Sequence, residues 1–344
     1  MVIDVGAMSP ADSVLPITPQ EQHKRRWAVI DINLGVAFFF MQDMAIKAVS
    51  HDYALSQLLL LRAAVAIPFV LWLVSRWPID GKVAGIGALL SPRWRYNLLR
   101  GMLGLVCYVF YFLSLPALPL GIAVSIFMTA PLFLVLFGKI FIGEPITRPR
   151  LFALLIGFIG SLIIFRPWEV FIKQGAVFDY ALLLPIISAI GYGLMQTMTR
   201  KFLQNESPFV MVFYQSSVYF VAAAVAAVVF SFWQLTPDHI SLFFLVRQWV
   251  DFTPQDFIFL VGASLIGSIG IIFLTKAYRN AAATLVAPFE YMALPMGFVF
   301  GYLLWNEVPN IGGVLGAVMI MVAGLIVIAD IKPNRRFKIR WLRG

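Results

Sequence analysis

MTAPLFLVLFGKIFIGEP, residues 128–145, and EYMALPMGFVFGYLLWNEVP, residues 290–309, are two versions of one pattern. Each is an apolar run interrupted by a proline, Pro131 or Pro295, and closed by an acidic residue, Glu144 or Glu307. A glycine-punctuated apolar stretch follows each one, LLIGFIGSLIIF at 154–165 and LGAVMIMVAGLIVI at 315–328. Recurrence of this kind reads as a duplication. Working outward, apolar stretches occur at Trp27–Met44, Ala54–Val74, Leu98–Leu115, Gly121–Ile142, Leu151–Phe165, Tyr180–Met198, Phe209–Phe232, Phe257–Leu274, Ala281–Trp305 and Ile311–Ala329. Most have the roughly 17–25 residues a helix needs to cross hydrocarbon. Only helices and closed barrels satisfy their backbone in lipid, and continuous runs without strict alternation exclude the barrel. The sequence predicts an all-α integral membrane protein of ten transmembrane helices, built as two five-helix repeats.

Five is an odd number, so the second repeat enters the membrane from the opposite side. Such inverted repeats let one half rock against the other around a midplane site, and proline-interrupted spans at matching places point to that site. Here these are spans 4 and 9. With the amino terminus inside, nineteen Lys and Arg fall in inner connectors and the tail, against four in outer ones. That bias places both termini in the cytoplasm. Residues 1–26 read as a disordered cytoplasmic lead, 27–165 as the first repeat, 178–330 as the second and 331–344 as a basic tail. The apolar patch Ile240–Val246 beside Trp249, in the longest outer connector, is expected to lie in the membrane interface.

Composition agrees: 61% hydrophobic and 12% charged residues, with mean hydropathy +0.88. The net charge of +9 is spread over short connectors and the tail, which reads as a topology signal and excludes nucleic acid as a partner. One cysteine, Cys107, three histidines and the lack of metal or nucleotide motifs predict neither a metal site nor a cofactor.

Charge near the middle of a span is costly, so a chain keeps it only where the protein shelters it. Glu290 lies three residues from the centre of span 9, roughly 4.5 Å from the midplane at the helical rise. At about 100° per residue its helix face carries Ala283, Ala287, Ala293, Gly297 and Gly301, which suits packing against other helices and turns Glu290 toward the bundle. It reads as a proton- or cation-binding carboxylate, or as half of a fixed ion pair. Arg62 lies at nearly the same depth in span 2 and is its natural partner, in one state or permanently. Asp43, one turn before Lys47, is either a gate or substrate contact or an interfacial pair. Gln42, Tyr108, Thr129, Tyr192, Gln196, Gln215 and Tyr291 are polar groups within spans that can bond or stack on a metabolite. Asp31, Arg100 and Lys139 lie near inner span ends and are expected to reach the interface. Trp27, Trp72, Trp233 and Trp305 sit at span ends as belt anchors. Glu144 and Glu307 read as caps or contacts between repeats.

The "GEP" and "NEVP" span ends, AYRNAAATLVAPFEY at 277–291, TRKF at 199–202, and Asp43 and Lys47 followed by Arg62 resemble the EamA family of the drug/metabolite transporter superfamily. The resemblance runs from about Val29 to Ile331. It implies a ten-helix, multi-pass carrier of a bacterial inner membrane, with a central cavity lined by both halves. The Asp, Lys, Arg and P-F-E-Y combination looks most like the S-adenosylmethionine and riboflavin branches, with amino acids or nucleoside-like compounds as further candidate cargoes. Membrane lipid is a partner by necessity, and a homodimer is left open. The rival readings are a lipid-linked sugar flippase of the same superfamily and an intramembrane transferase. The transferase reading lacks the paired carboxylates that hold Mg²⁺ on a pyrophosphate.

Overall fold

The computed structural model describes residues 19–49, 53–76, 86–118, 120–168, 180–232, 239–297, 299 and 310–331. The helices are α1 (Pro19–Val49), α2 (Leu55–Arg76), α3 (Trp94–Ser114), α4 (Leu120–Phe127), α5 (Ala130–Phe137), α6 (Arg148–Phe165), α7 (Leu183–Phe202), α8 (Pro208–Phe232), α9 (Ile240–Val246), α10 (Pro254–Asn280), α11 (Ala283–Val286) and α12 (Ile311–Ile331). Among the described residues eight helices are long and apolar enough to cross a bilayer, and there is no strand. The eight match spans 2 to 8 and span 10 of the sequence reading. Their outward faces stay apolar: Phe232 is 80% exposed, Ile258 72% and Leu325 63%. Stripes of this size on a monomer belong in lipid. The chain is a multi-pass membrane protein.

The remaining two expected spans differ from the eight. Span 1 lies inside α1, which starts at Pro19, so residues 19–26 of the expected disordered lead are helical. An i,i+4 pair of Arg25 with Glu21 at 2.9 Å and a bond from Trp27 to His23 at 2.8 Å brace that extension. Span 9 is not a regular helix. It runs as α11, then a 3₁₀ segment Ala287–Met292, then a helical turn at 293–297. The regular face expected around Glu290 therefore does not form. Pro288 sits at the start of the 3₁₀ segment, where a missing N–H costs least. Glu307, Trp305, Trp233 and the tail fall outside the described residues, as do the side chains of Asp43 and Lys47.

Span 4 is also broken. A turn at Met128–Thr129 separates α4 from α5, and α5 ends in a π turn, Gly138–Ile142. Gly143 then adopts φ 77°, a left-handed conformation that glycine takes without strain, and turns the chain so that Glu144 points back into the bundle.

Helix pairing follows a pattern. The most extensive contacts are α1 with α10, α6 with α12, α3 with α7, and α2 with α8. In span numbers these are 1 with 8, 5 with 10, 3 with 6, and 2 with 7. Exchanging the two halves converts the first pair into the third and leaves the other two unchanged. Helix directions also differ between the halves. α3 and α6 begin at the end of the bundle that holds Glu144, whereas α7, α10 and α12 finish there, as bonds among Arg93, Glu144, Arg150, Arg200, Lys276 and Asp330 require. Where α6 meets α12 the backbones nearly touch. A Cβ on Gly160 would lie 2.8 Å from the Gly316 carbonyl oxygen, and one on Gly316 would lie 2.5 Å from that of Gly160. Small residues admit this close approach.

Opposite the Glu144 end, α9 packs on α2 and α3, with Phe244 and Val246 buried and Ile240 and Phe243 exposed. Gln57 donates to the Val250 carbonyl at 2.5 Å, and Trp249 donates to Ser56 at 3.0 Å. Tyr53 donates to Asp256 at 2.6 Å, and that bond, with burial, holds its hydroxyl above the ordinary tyrosine pKa.

Candidate functional site

Glu290 lies on the 3₁₀ segment of span 9. Its Oε1 accepts from the Tyr192 hydroxyl of α7 at 2.5 Å and from the Tyr278 hydroxyl of α10. Tyr278 reaches it because the chain reverses at Ala281–Ala282, which folds span 9 back against the end of α10. Among the described residues Glu290 has no cationic partner.

Arg62 is 8% exposed, and its guanidinium lies 5.7 Å from the Phe39 ring centroid and 5.2 Å from that of Tyr108. Among the described residues no carboxylate comes within the 4.0 Å of an ion pair, so Arg62 and Glu290 do not pair in this conformation. A run of ring contacts joins their surroundings. Tyr108 meets Phe112 at 4.4 Å, Phe112 meets Tyr111 at 5.6 Å, Tyr111 meets Phe127 at 4.9 Å, and Phe127 meets Tyr192 at 6.0 Å.

The other expected site residues divide. Gln196, one turn after Tyr192, is fully buried, and among the described residues neither amide atom has a partner at hydrogen-bond geometry. Gln42 is buried against Gly267, whose missing side chain makes the room. Thr129 donates to the Ile126 carbonyl at 2.7 Å, a bond to its own helix. Tyr291 faces away from Glu290. It is fully buried on Gly157, where a Cβ would lie 2.5 Å from its ring, and it donates to the Met128 carbonyl at 3.2 Å.

Arg100 is a correction. Expected to reach the interface, it is fully buried and donates from Nε to Thr199 at 2.7 Å, from one terminal nitrogen to Gln215 at 2.7 Å and from the other to Thr275 at 2.9 Å. Gly101 explains the burial: a Cβ there would lie 3.3 Å from the Gln215 Cα, so α8 closes over the guanidinium. Gln215 in turn donates to Tyr219 at 2.8 Å, whose ring lies 5.7 Å from that of Tyr108. Residue depth alone could not reveal this, because depth says nothing about the face a side chain occupies. Lys139 is exposed, as expected of an interfacial lysine.

At the Glu144 end charges are matched. Glu144 is 7% exposed, accepts from Arg200 at 3.3 Å and caps α11 by accepting from the Ala283 N–H at 2.9 Å. Arg150 donates to Asp330 at 2.8 Å and to Thr284 at 3.2 Å. Lys276 donates to Asp31 at 3.0 Å, which corrects the interfacial reading of Asp31, only 1% exposed. Arg200 and Arg279 donate to the carbonyls of Arg279 and Glu206, each at 2.9 Å. Each of the three ion pairs joins one expected repeat to the other.

Family comparison agrees with this architecture. The model of the EamA-like transporter family matches residues 26–166 and again 179–329. The chain is 28% identical over 254 residues to an S-adenosylmethionine uptake transporter of Rickettsia conorii, covering 73% of this chain and 78% of the relative. It is 25% identical over 289 residues to a pseudopaline exporter of Pseudomonas aeruginosa, covering 83% and 90%. A riboflavin transporter of Vibrio cholerae is 26% identical over 321 residues, covering 92% and 97%. A chain of known crystal structure superposes with a TM-score of 0.69 over 92% of this chain and 99% of its own length, at 16% identity, a likeness of fold alone. The relatives are named as transporters, which sets aside the transferase alternative. With both halves matched, the chain belongs to the EamA-like transporter family.

Proposed function

We propose that the protein is a secondary transporter that carries a small polar or amphipathic metabolite across a bacterial inner membrane by alternating access. The carrying observation is the contrast between Glu290, which among the described residues meets only neutral tyrosine donors in a broken span, and the three ion pairs that join the halves at the Glu144 end. A substrate site needs charge left over for its ligand; a closed gate needs charge used up.

The two halves, 27–165 and 178–330, are read as inverted repeats forming a ten-helix bundle. Exchange-symmetric helix pairing and opposed helix directions support this, as does the cytoplasmic bias of basic residues. On this reading both termini are cytoplasmic, and the Glu144 end is the inner gate, shut in this conformation. Arg62, Glu290, Tyr192, Tyr108 and Gln196 form the polar core. Gln42, Asp43, Thr129 and Tyr291 shape it from further out. The relatives' cargoes make S-adenosylmethionine, riboflavin and related ring-bearing metabolites the first substrates to try.

Glu290 also suits proton coupling, because binding of a proton and of a cationic group at one carboxylate exclude each other. Uptake into proteoliposomes under an imposed pH gradient tests it. Wild-type protein should respond to the gradient and Glu290→Gln should not; a Glu290→Gln carrier that still follows the gradient refutes the coupling.

A further inference from the structure

Resting on the carrier reading above, we propose that the central site takes a dipolar ligand, with a carboxylate held by Arg62, an onium group held by Glu290 and a flat body lying along the rings between them.

Arg62 supplies one end. A guanidinium has five N–H donors in a planar fork. Among the described residues none has an acceptor, and no nitrogen of Arg62 is among the described polar atoms sealed from solvent without a partner. The donor edge therefore keeps accessible surface on which a ligand can bond. Phe39 and Tyr108 hold the cation by their faces, at 5.7 and 5.2 Å, and leave the fork empty. A carboxylate fits that fork with two parallel bonds.

Glu290 supplies the other end. Both tyrosine bonds fall on Oε1, and neither donor neutralises the charge. Among the described residues Oε2 has no donor, and it is likewise not among the sealed atoms. An ammonium or sulfonium beside Oε2 would complete it. Between the two ends, the rings of Tyr108, Phe112, Tyr111, Phe127 and Tyr192 make an unbroken run of ring-to-ring contacts.

Ligands of a single charge fit worse. A plain cation leaves the Arg62 fork bare. A plain anion leaves Glu290 uncompensated. A ligand with both charges satisfies both ends, and burying either charge unpaired is costly.

The test is equilibrium binding to purified full-length protein in lipid nanodiscs, with one matched probe set. The set is 4-(trimethylammoniomethyl)benzoate, which carries a carboxylate and an onium on either side of a flat ring, its methyl ester, which lacks the carboxylate, and its neopentyl analogue, which lacks the onium. The doubly charged member should bind about tenfold more tightly than either partner, the size of one good charged contact. Arg62→Met should erase the preference for the carboxylate alone, and Glu290→Gln the preference for the onium alone. Arg62→Lys should retain part of the carboxylate preference, which a merely structural Arg62 would not show. Equal binding of all three, or binding of none of them, overturns the proposal. Transport driven by a gradient is measured separately, so a carrier with the wrong polarity and a correct binder that moves nothing give different results.

Discussion

The middle of the bundle and its Glu144 end treat buried charge in opposite ways. At the Glu144 end three carboxylates and three cations are matched across the two halves: Glu144 with Arg200, Arg150 with Asp330, and Asp31 with Lys276. In the middle, Glu290 meets hydroxyls and Arg62 meets ring faces. Matched charge fixes one arrangement of helices, and on the proposed alternating-access cycle the pairs break when that end opens. On the same proposal, unmatched charge receives the ligand. The same residue types then serve as a latch in one place and a receptor in the other.

The sharpest way to break the comparison is Glu290→Gln. The amide oxygen still accepts from Tyr192 and Tyr278, so the melting temperature should stay close to wild type. Transport should fall by on the order of 100-fold, the value of a charge-assisted contact of about 1.5–3 kcal/mol. A parallel loss of folding would make Glu290 a structural residue.

At the latch the order reverses. Glu144→Ala leaves Arg200 and the Ala283 N–H without their acceptor, and removal of one member of a buried pair costs about 3–5 kcal/mol. Melting should drop clearly, and a double-mutant cycle with Arg200→Ala should show coupling on the order of 1 kcal/mol or more. Full additivity would mean that the pair holds nothing together.

Between the two, Gly316→Ala forces a methyl against the Gly160 carbonyl and should destabilise by about 1–3 kcal/mol, with bound-ligand affinity unchanged. The smallest effect is expected at the exposed pair Arg25 with Glu21, where charge removal should change stability by about 0.3–0.5 kcal/mol at most.

Much of this was legible beforehand, for reasons that mark where reading stops. Hydrocarbon thickness imposes a length on each apolar run, so eight spans and their order follow from hydropathy. Glu290 stood out because a lone carboxylate at midspan is rare in lipid. Its partner Tyr278 did not, because it lies twelve positions away, at the Glu144 end of another span, and meets Glu290 only through a chain reversal. Arg100 was misread because its depth near a span end fits interface and interior alike; Gly101 beside it was the available signal. The 3₁₀ course of span 9 is set by Pro288 together with packing, and an apolar pattern does not distinguish it from a regular helix. The matched pairs of the latch join residues as far as 245 positions apart, which no local pattern carries.

The most direct test of alternating access is a distance across the latch. In a background with Cys107 replaced by Ala, nitroxide labels placed at the exposed positions 140 and 201 report the separation of the two halves at the Glu144 end. The account predicts two populations in membranes, with Glu144→Gln shifting weight to the longer distance. A single unchanged distance in both proteins would contradict it.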